Sequence, residues 1–62
     1  MISYEKACSI VSSEGFCWDV RKIVQIDGID EITIICKYRD KMNAIIYSDF
    51  MKKVIAVTRL HY

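Results

Sequence analysis

The sequence predicts an α+β domain: one N-terminal helix packed on a four-stranded antiparallel meander, in the order α-β-β-β-β. Three observations predict it. Ser3 to Glu14 carries a single apolar stripe at helical spacing and is followed by Gly15. Glu31 to Arg39 alternates with the period of a strand, Ile32, Ile34, Cys36 and Tyr38 on one face and Thr33, Ile35, Lys37 and Arg39 on the other. Turn-forming residues then divide the rest into short β-branched segments, which favours hairpins over crossovers.

The helix is expected over Ser3 to Glu14. Ser3 suits the N-cap, Glu5 lies in the first turn where the helix dipole favours a negative charge, and Gly15 provides the left-handed stop. Tyr4, Ala7, Cys8 and Val11 form the stripe, widened by Ile10, while Lys6, Ser9 and Ser13 point away. Phe16, just past the glycine, is placed to fold back on Val11. The connection Phe16-Cys17-Trp18 is unusually apolar. Its aromatics either plug the open end between helix and sheet or present an anchor to a partner.

Asp19 to Asp27 is expected as the first strand, with Val20, Val24 and Ile26 on one face and Arg21, Ile23 and Gln25 on the other. Lys22 interrupts the first face. Gly28-Ile29-Asp30, entered through Asp27-Gly28, is the turn. After the central run, Asp40-Lys41 closes the next hairpin, and Met42 to Ser48 is the third strand, with Ala44 and Ile46 opposed to Ile45 and Tyr47. Asp49 to Lys52 is a turn in which Asp49 is expected to cap its own backbone. Lys53 to His61 is the last strand. A continuous helix from Asp49 to Arg59 is the rival reading, which the β-branched run Val54 to Thr58 disfavours.

Sixty-two residues make a single small domain over 1–62. A chain of this size buries only about 60% of its unfolded surface, so its stability is a few kcal/mol. Apolar residues make up 53%, more than such an interior can hide. The net charge is +1, without the basic excess of a dedicated nucleic-acid binder. No apolar run is long enough to span a membrane, and Met1 to Lys6 lacks a signal-peptide layout. Cys8, Cys17 and Cys36, odd in number and without paired spacing, fit reduced thiols. The expected compartment is the cytoplasm, of its own cell or of a host.

One helix roofs one face of such a sheet. Whichever register holds, apolar groups from Ile35, Ile45 or Ile46, Tyr47, and Ile55 or Val57 are expected on the uncovered face, where contiguous apolar surface marks an interaction site. With Trp18 this gives the expected partner-binding set Trp18, Ile35, Ile45, Tyr47 and Val57. Self-association into a homodimer through the same face is expected.

Catalytic, cofactor and metal sites are not expected. The lone histidine, His61, sits beside the C-terminus, and pairing it with Cys17 or Cys36 is the weakest of the readings, since buried cysteines act far more often as small apolar groups. Cys8, Cys17, Cys36 and His61 have the ligand number for zinc but not the CxxC or HxxxH spacing. Asp27, Asp30 and Glu31 lack the ordered spacing of a calcium loop. Arg21, Lys22, Lys37, Arg39 and Lys41, with Tyr38 or Tyr47 for stacking, support an alternative function in nucleic-acid binding.

The layout also resembles a PepSY domain. Ile2-Ser3-Tyr4-Glu5-Lys6-Ala7 opens the short helix, Gly15 ends it, Asp19-Val20 starts the first strand and Ile34-Ile35-Cys36-Lys37-Tyr38 forms the middle one. Ile46-Tyr47-Ser48-Asp49 followed by Lys53-Val54-Ile55-Ala56-Val57 falls where that family has its "vD…tGkV" turn. Phe50-Met51-Lys52-Lys53 lacks the family's turn glycine, and the family's secretion context is missing. The resemblance implies a binding or inhibitory module. The expected function is therefore a small non-enzymatic protein binder, an inhibitor or accessory protein of the kind phages and mobile elements encode.

Overall fold

The computed structural model describes residues 2–15 and 19–60. Its elements are α1 (Tyr4–Ser13), β1 (Asp19–Gln25), β2 (Glu31–Tyr38), β3 (Lys41–Ser48) and β4 (Lys53–Arg59). The four strands form one antiparallel sheet in the order β1-β2-β3-β4, the expected α+β meander. The last segment is a strand, so the rival helix is excluded there.

The helix boundaries follow from capping. Ser3 Oγ accepts from Lys6 N–H at 3.0 Å, and Glu5 sits in the first turn. At the other end Gly15, at φ +83°, takes the left-handed conformation and donates its N–H to Ser12 O. Ala7, Ile10 and Val11 are buried and Cys8 half-buried, but Tyr4 at the start of the stripe is exposed. The expected contact of Phe16 with Val11 lies outside the described residues.

Register fixes which side chains share the core. β1 meets β2 with Gln25 opposite Ile32, Ile23 opposite Ile34 and Val20 opposite Cys36, and a bulge lies between Val20 and Lys22. The bulge explains the break seen at Lys22. It moves Ile23 and Gln25 onto the face of Val20 and sends Val24 to the opposite face, correcting the simple alternation expected for this strand. Arg39 and Asp40, at φ 49° and 63°, form the two-residue turn between β2 and β3, one residue earlier than expected. Positive φ at both positions suits the right-handed twist of a hairpin. Neither residue is glycine, and the Arg39 guanidinium lies 5.4 Å from the centre of the Tyr38 ring.

That turn pairs Ile34 with Ile45 and Ile32 with Tyr47. Ile45 and Tyr47 therefore point to the helix side, not the uncovered side. Ile45 is fully buried and Tyr47 is 5% exposed. The physical reason is arithmetic: a two-residue loop pairs positions whose numbers sum to an odd value. The even positions of β2 then share a face with the odd positions of β3.

The core lies between α1 and this face. Ala7, Ile10 and Val11 meet Val20, Ile32, Ile34, Cys36, Ile45 and Tyr47, with Ile2, Cys8, Ile23 and Val54 at its margin. Among the strands α1 lies closest to β1, and β4 supplies only Val54 to the core. Burial pushes the Cys36 thiol above its ordinary pKa. The folded state thus holds a proton that the unfolded chain loses first as pH rises, and stability falls above the ordinary thiol pKa of about 8.5. Peptide mapping after brief iodoacetamide treatment should find Cys36 unmodified in the folded chain and labelled once urea unfolds it. Equal labelling in both states would contradict its burial.

Candidate partner-binding surfaces

No described helix or strand lies over the face opposite α1. Pairing builds this face as two central rungs. One runs Val24, Thr33, Ile46, Ala56; the next runs Lys22, Ile35, Ala44, Thr58. Ile35 and Ile46 are half-buried and Ala44 is buried, because neighbouring side chains on a sheet shield one another, while Val24, Ala56 and Thr58 are exposed. Lys22, Lys37, Lys53 and Glu31 stand around this apolar centre.

A second surface lies at the end of the sheet where the β1–β2 and β3–β4 turns meet. Ile29 N–H donates to Ile26 O at 3.1 Å around Asp27-Gly28, and Gly28 at φ +83° supplies the conformation this turn requires. Asp30 then ties the two turns together. Its carboxylate accepts from Phe50 N–H at 2.7 Å and from Ser48 Oγ–H, and its carbonyl accepts from Asp49 N–H. Ser48 Oγ in turn accepts from Met51 N–H at 3.1 Å. The backbone capping expected of Asp49 is thus done by Asp30 and Ser48. Asp49 Oδ1 instead accepts from Lys52 Nζ at 2.9 Å, which holds that ammonium above its ordinary pKa. Lys52 adopts φ +56°, a left-handed conformation at the end of this turn.

This network presents Ile26, Ile29, Phe50 and Met51 to solvent, Phe50 at 79% exposure and Ile29 at 50%. The charges beside them are Asp27, Asp30, Glu31 and Asp49 against Lys52 and Lys53, so this end is acidic. At the opposite end Arg21, Lys37, Arg39, Lys41 and Arg59 outnumber Asp19 and Asp40, and that end is basic.

The third surface is β4. Its outer edge pairs with no described strand, and α1 does not roof it. Val57, opposite Ile45, belongs to the helix side of the sheet rather than the bare face, yet it is 43% exposed because it lies beyond the helix.

Of the five residues expected to meet a partner, Ile35 lies on the bare face and Val57 is exposed on the other. Ile45 and Tyr47 are core residues, and Trp18 lies outside the described residues. Sequence reading left Ile45 or Ile46 open for the outer face, where the register places Ile46 on the rung next to that of Ile35, and it missed the Ile29–Phe50 end. Ile46 follows from the turn arithmetic. The clustering of Ile29 with Phe50 has no local signal, because it depends on a hydrogen bond spanning twenty residues.

Among the described residues, no three of His, Cys, Asp and Glu gather closely enough to hold a metal ion, and no helix is long and apolar enough to cross a membrane. No family model, no curated protein and no solved structure matches the chain.

Proposed function

We propose that this chain is a non-enzymatic protein-binding module that self-associates through the bare sheet face and occludes a partner's surface with its remaining apolar side chains. The observation that carries this reading is the pair of rungs centred on Ile35 and Ile46, which no described element covers. Strand spacing and rise give such a face roughly 19 by 25 Å, or about 500 Å² per copy. Two copies face to face bury about 1,000 Å², the lower bound for a specific interface, so a weak dimer with a Kd of roughly micromolar order is expected. The acidic apolar end remains free in such a dimer. Ile29, Phe50 and Met51 then fit an apolar groove with a basic rim on a partner protein. The PepSY-like ordering of helix, glycine and strands accords with a binding or inhibitory role. The free thiols of Cys8 and Cys36 accord with work in a reducing cytoplasm.

Light scattering across a concentration series tests self-association. A dimer should form in the micromolar range and withstand added salt. Ile35→Lys and Ile46→Lys should each yield a monomer with an unchanged circular dichroism spectrum. A wild-type chain that stays monomeric at millimolar concentration would end this reading.

A second reading, nucleic-acid binding, is favoured by the basic end, where Arg39 lies over the Tyr38 ring, Lys41 is opposite Tyr38 and Arg59 stands at the same end of the sheet. It requires oligonucleotide affinity that falls steeply with salt and is lost on Arg39→Glu with Lys41→Glu.

A further inference from the structure

We infer that the outer edge of β4 takes an extended peptide segment with carboxylates at both ends as a fifth strand. This rests on the protein-binding reading above and adds a separate contact at the sheet edge, distinct from the basic-rimmed groove proposed for the Ile29–Phe50 end. Leu60 N–H donates to Met42 O at 2.8 Å. Antiparallel ladders alternate, so Thr58 and Ala56 direct their backbone groups at β3, and Val57 and Arg59 direct theirs outward. These outward groups are a template for strand addition, in which backbone hydrogen bonds give affinity and side chains give selectivity.

The side chains specify the occupant. Val54 to Thr58 is uncharged, with Ile55 and Val57 exposed, and Lys53 and Arg59 close the strand at either end. Among the described residues neither cation has a carboxylate partner, whereas Lys52 is held by Asp49. Pairing β4 with β4 of a second copy brings four cations and no carboxylate into one two-stranded ribbon. Like charges facing across strands are destabilising. The charges that keep two copies apart attract a strand with an apolar centre and acidic ends.

The probe is a seven-residue capped peptide with glutamate at each end and alternating threonine and valine between; its control carries lysine at each end. Binding is read by hydrogen exchange and amide chemical shifts. The acidic peptide should slow exchange at the Val57 and Arg59 amides at least tenfold, and the lysine-ended peptide should leave them unchanged. The double variant Lys53→Glu with Arg59→Glu should reverse the preference. Ile35→Lys, which disperses the dimer, should leave peptide binding intact. No protection at Val57 and Arg59 while the wild-type dimer persists would overturn the strand-addition inference alone. Equal protection by both peptides, or protection of those amides by an oligonucleotide instead, would overturn it as well.

Discussion

Replacing Ile45 by aspartate is expected to leave the chain unfolded at room temperature, without a urea transition. Ile45 is fully buried, paired with Ile34 across the β2–β3 hairpin and packed in the same core as Ala7, Ile10 and Val11. Truncating such a side chain alone costs about 2–5 kcal/mol. Placing an unpaired carboxylate there adds several kcal/mol more, or forces the group to stay protonated. A domain of this length holds only ~3–9 kcal/mol in total. Ile45→Ala should therefore lower the urea midpoint severely, and Ile45→Asp should abolish the transition. Ile35, one rung away on the other face, makes the control: Ile35→Lys keeps its stem on the sheet and its ammonium in water, and should fold. If Ile45→Asp folded and Ile35→Lys did not, the helix would lie on the opposite face of the sheet.

This pair of substitutions also locates what the sequence made legible. Element order, the Ser3 cap, the Gly15 stop and the face formed by Ile32, Ile34 and Cys36 were all readable, because each depends on neighbours within a few residues. The placing of Ile45 and Tyr47 went wrong although the information was local, since the length of the turn determines their parity. β1 was less readable. Nothing in Val20-Arg21-Lys22 announces a bulge except the charged residue that interrupts the alternation, and the bulge is settled by pairing with Cys36 and Ile35. For the candidate surfaces, the bare face followed from counting layers, but its membership needed the register. The exposed end did not follow at all. Phe50 and Met51 read as an undistinguished turn until Asp30, from another hairpin, fixes their backbone.

Asp30→Ala should therefore produce the second-largest loss of stability, out of proportion to a residue on the surface. The substitution removes the acceptor of Phe50 N–H and of Ser48 Oγ–H together. Hydrogen bonds to a charged group contribute about 1.5–3 kcal/mol when sheltered; with the Ser48 bond partly buried and the Phe50 bond exposed, a total of roughly 1–3 kcal/mol is expected. In a domain this small each kcal/mol lowers Tm by roughly 4–8 °C. Asp30→Asn keeps an amide oxygen for Phe50 N–H and offers its NH₂ to Ser48 Oγ, so its loss should be smaller than that of alanine. Asp27, exposed at the same end and with no side-chain ion pair among the described residues, should change stability by less than about 0.5 kcal/mol on replacement by alanine. Stability alone does not separate a general weakening from the specific release of the β3–β4 turn. Amide exchange does: at Phe50 and Met51 it should accelerate far more than at Ile34 and Ile45, whose amides are shielded within the central strands. A variant that melts lower yet keeps the Phe50 and Met51 amides as protected as in the parent would show that Asp30 does not hold this end together. The rigid presentation of Phe50 and Ile29 to a partner would then lose its physical basis, because an untethered turn must be ordered at the moment of binding, at a cost in affinity.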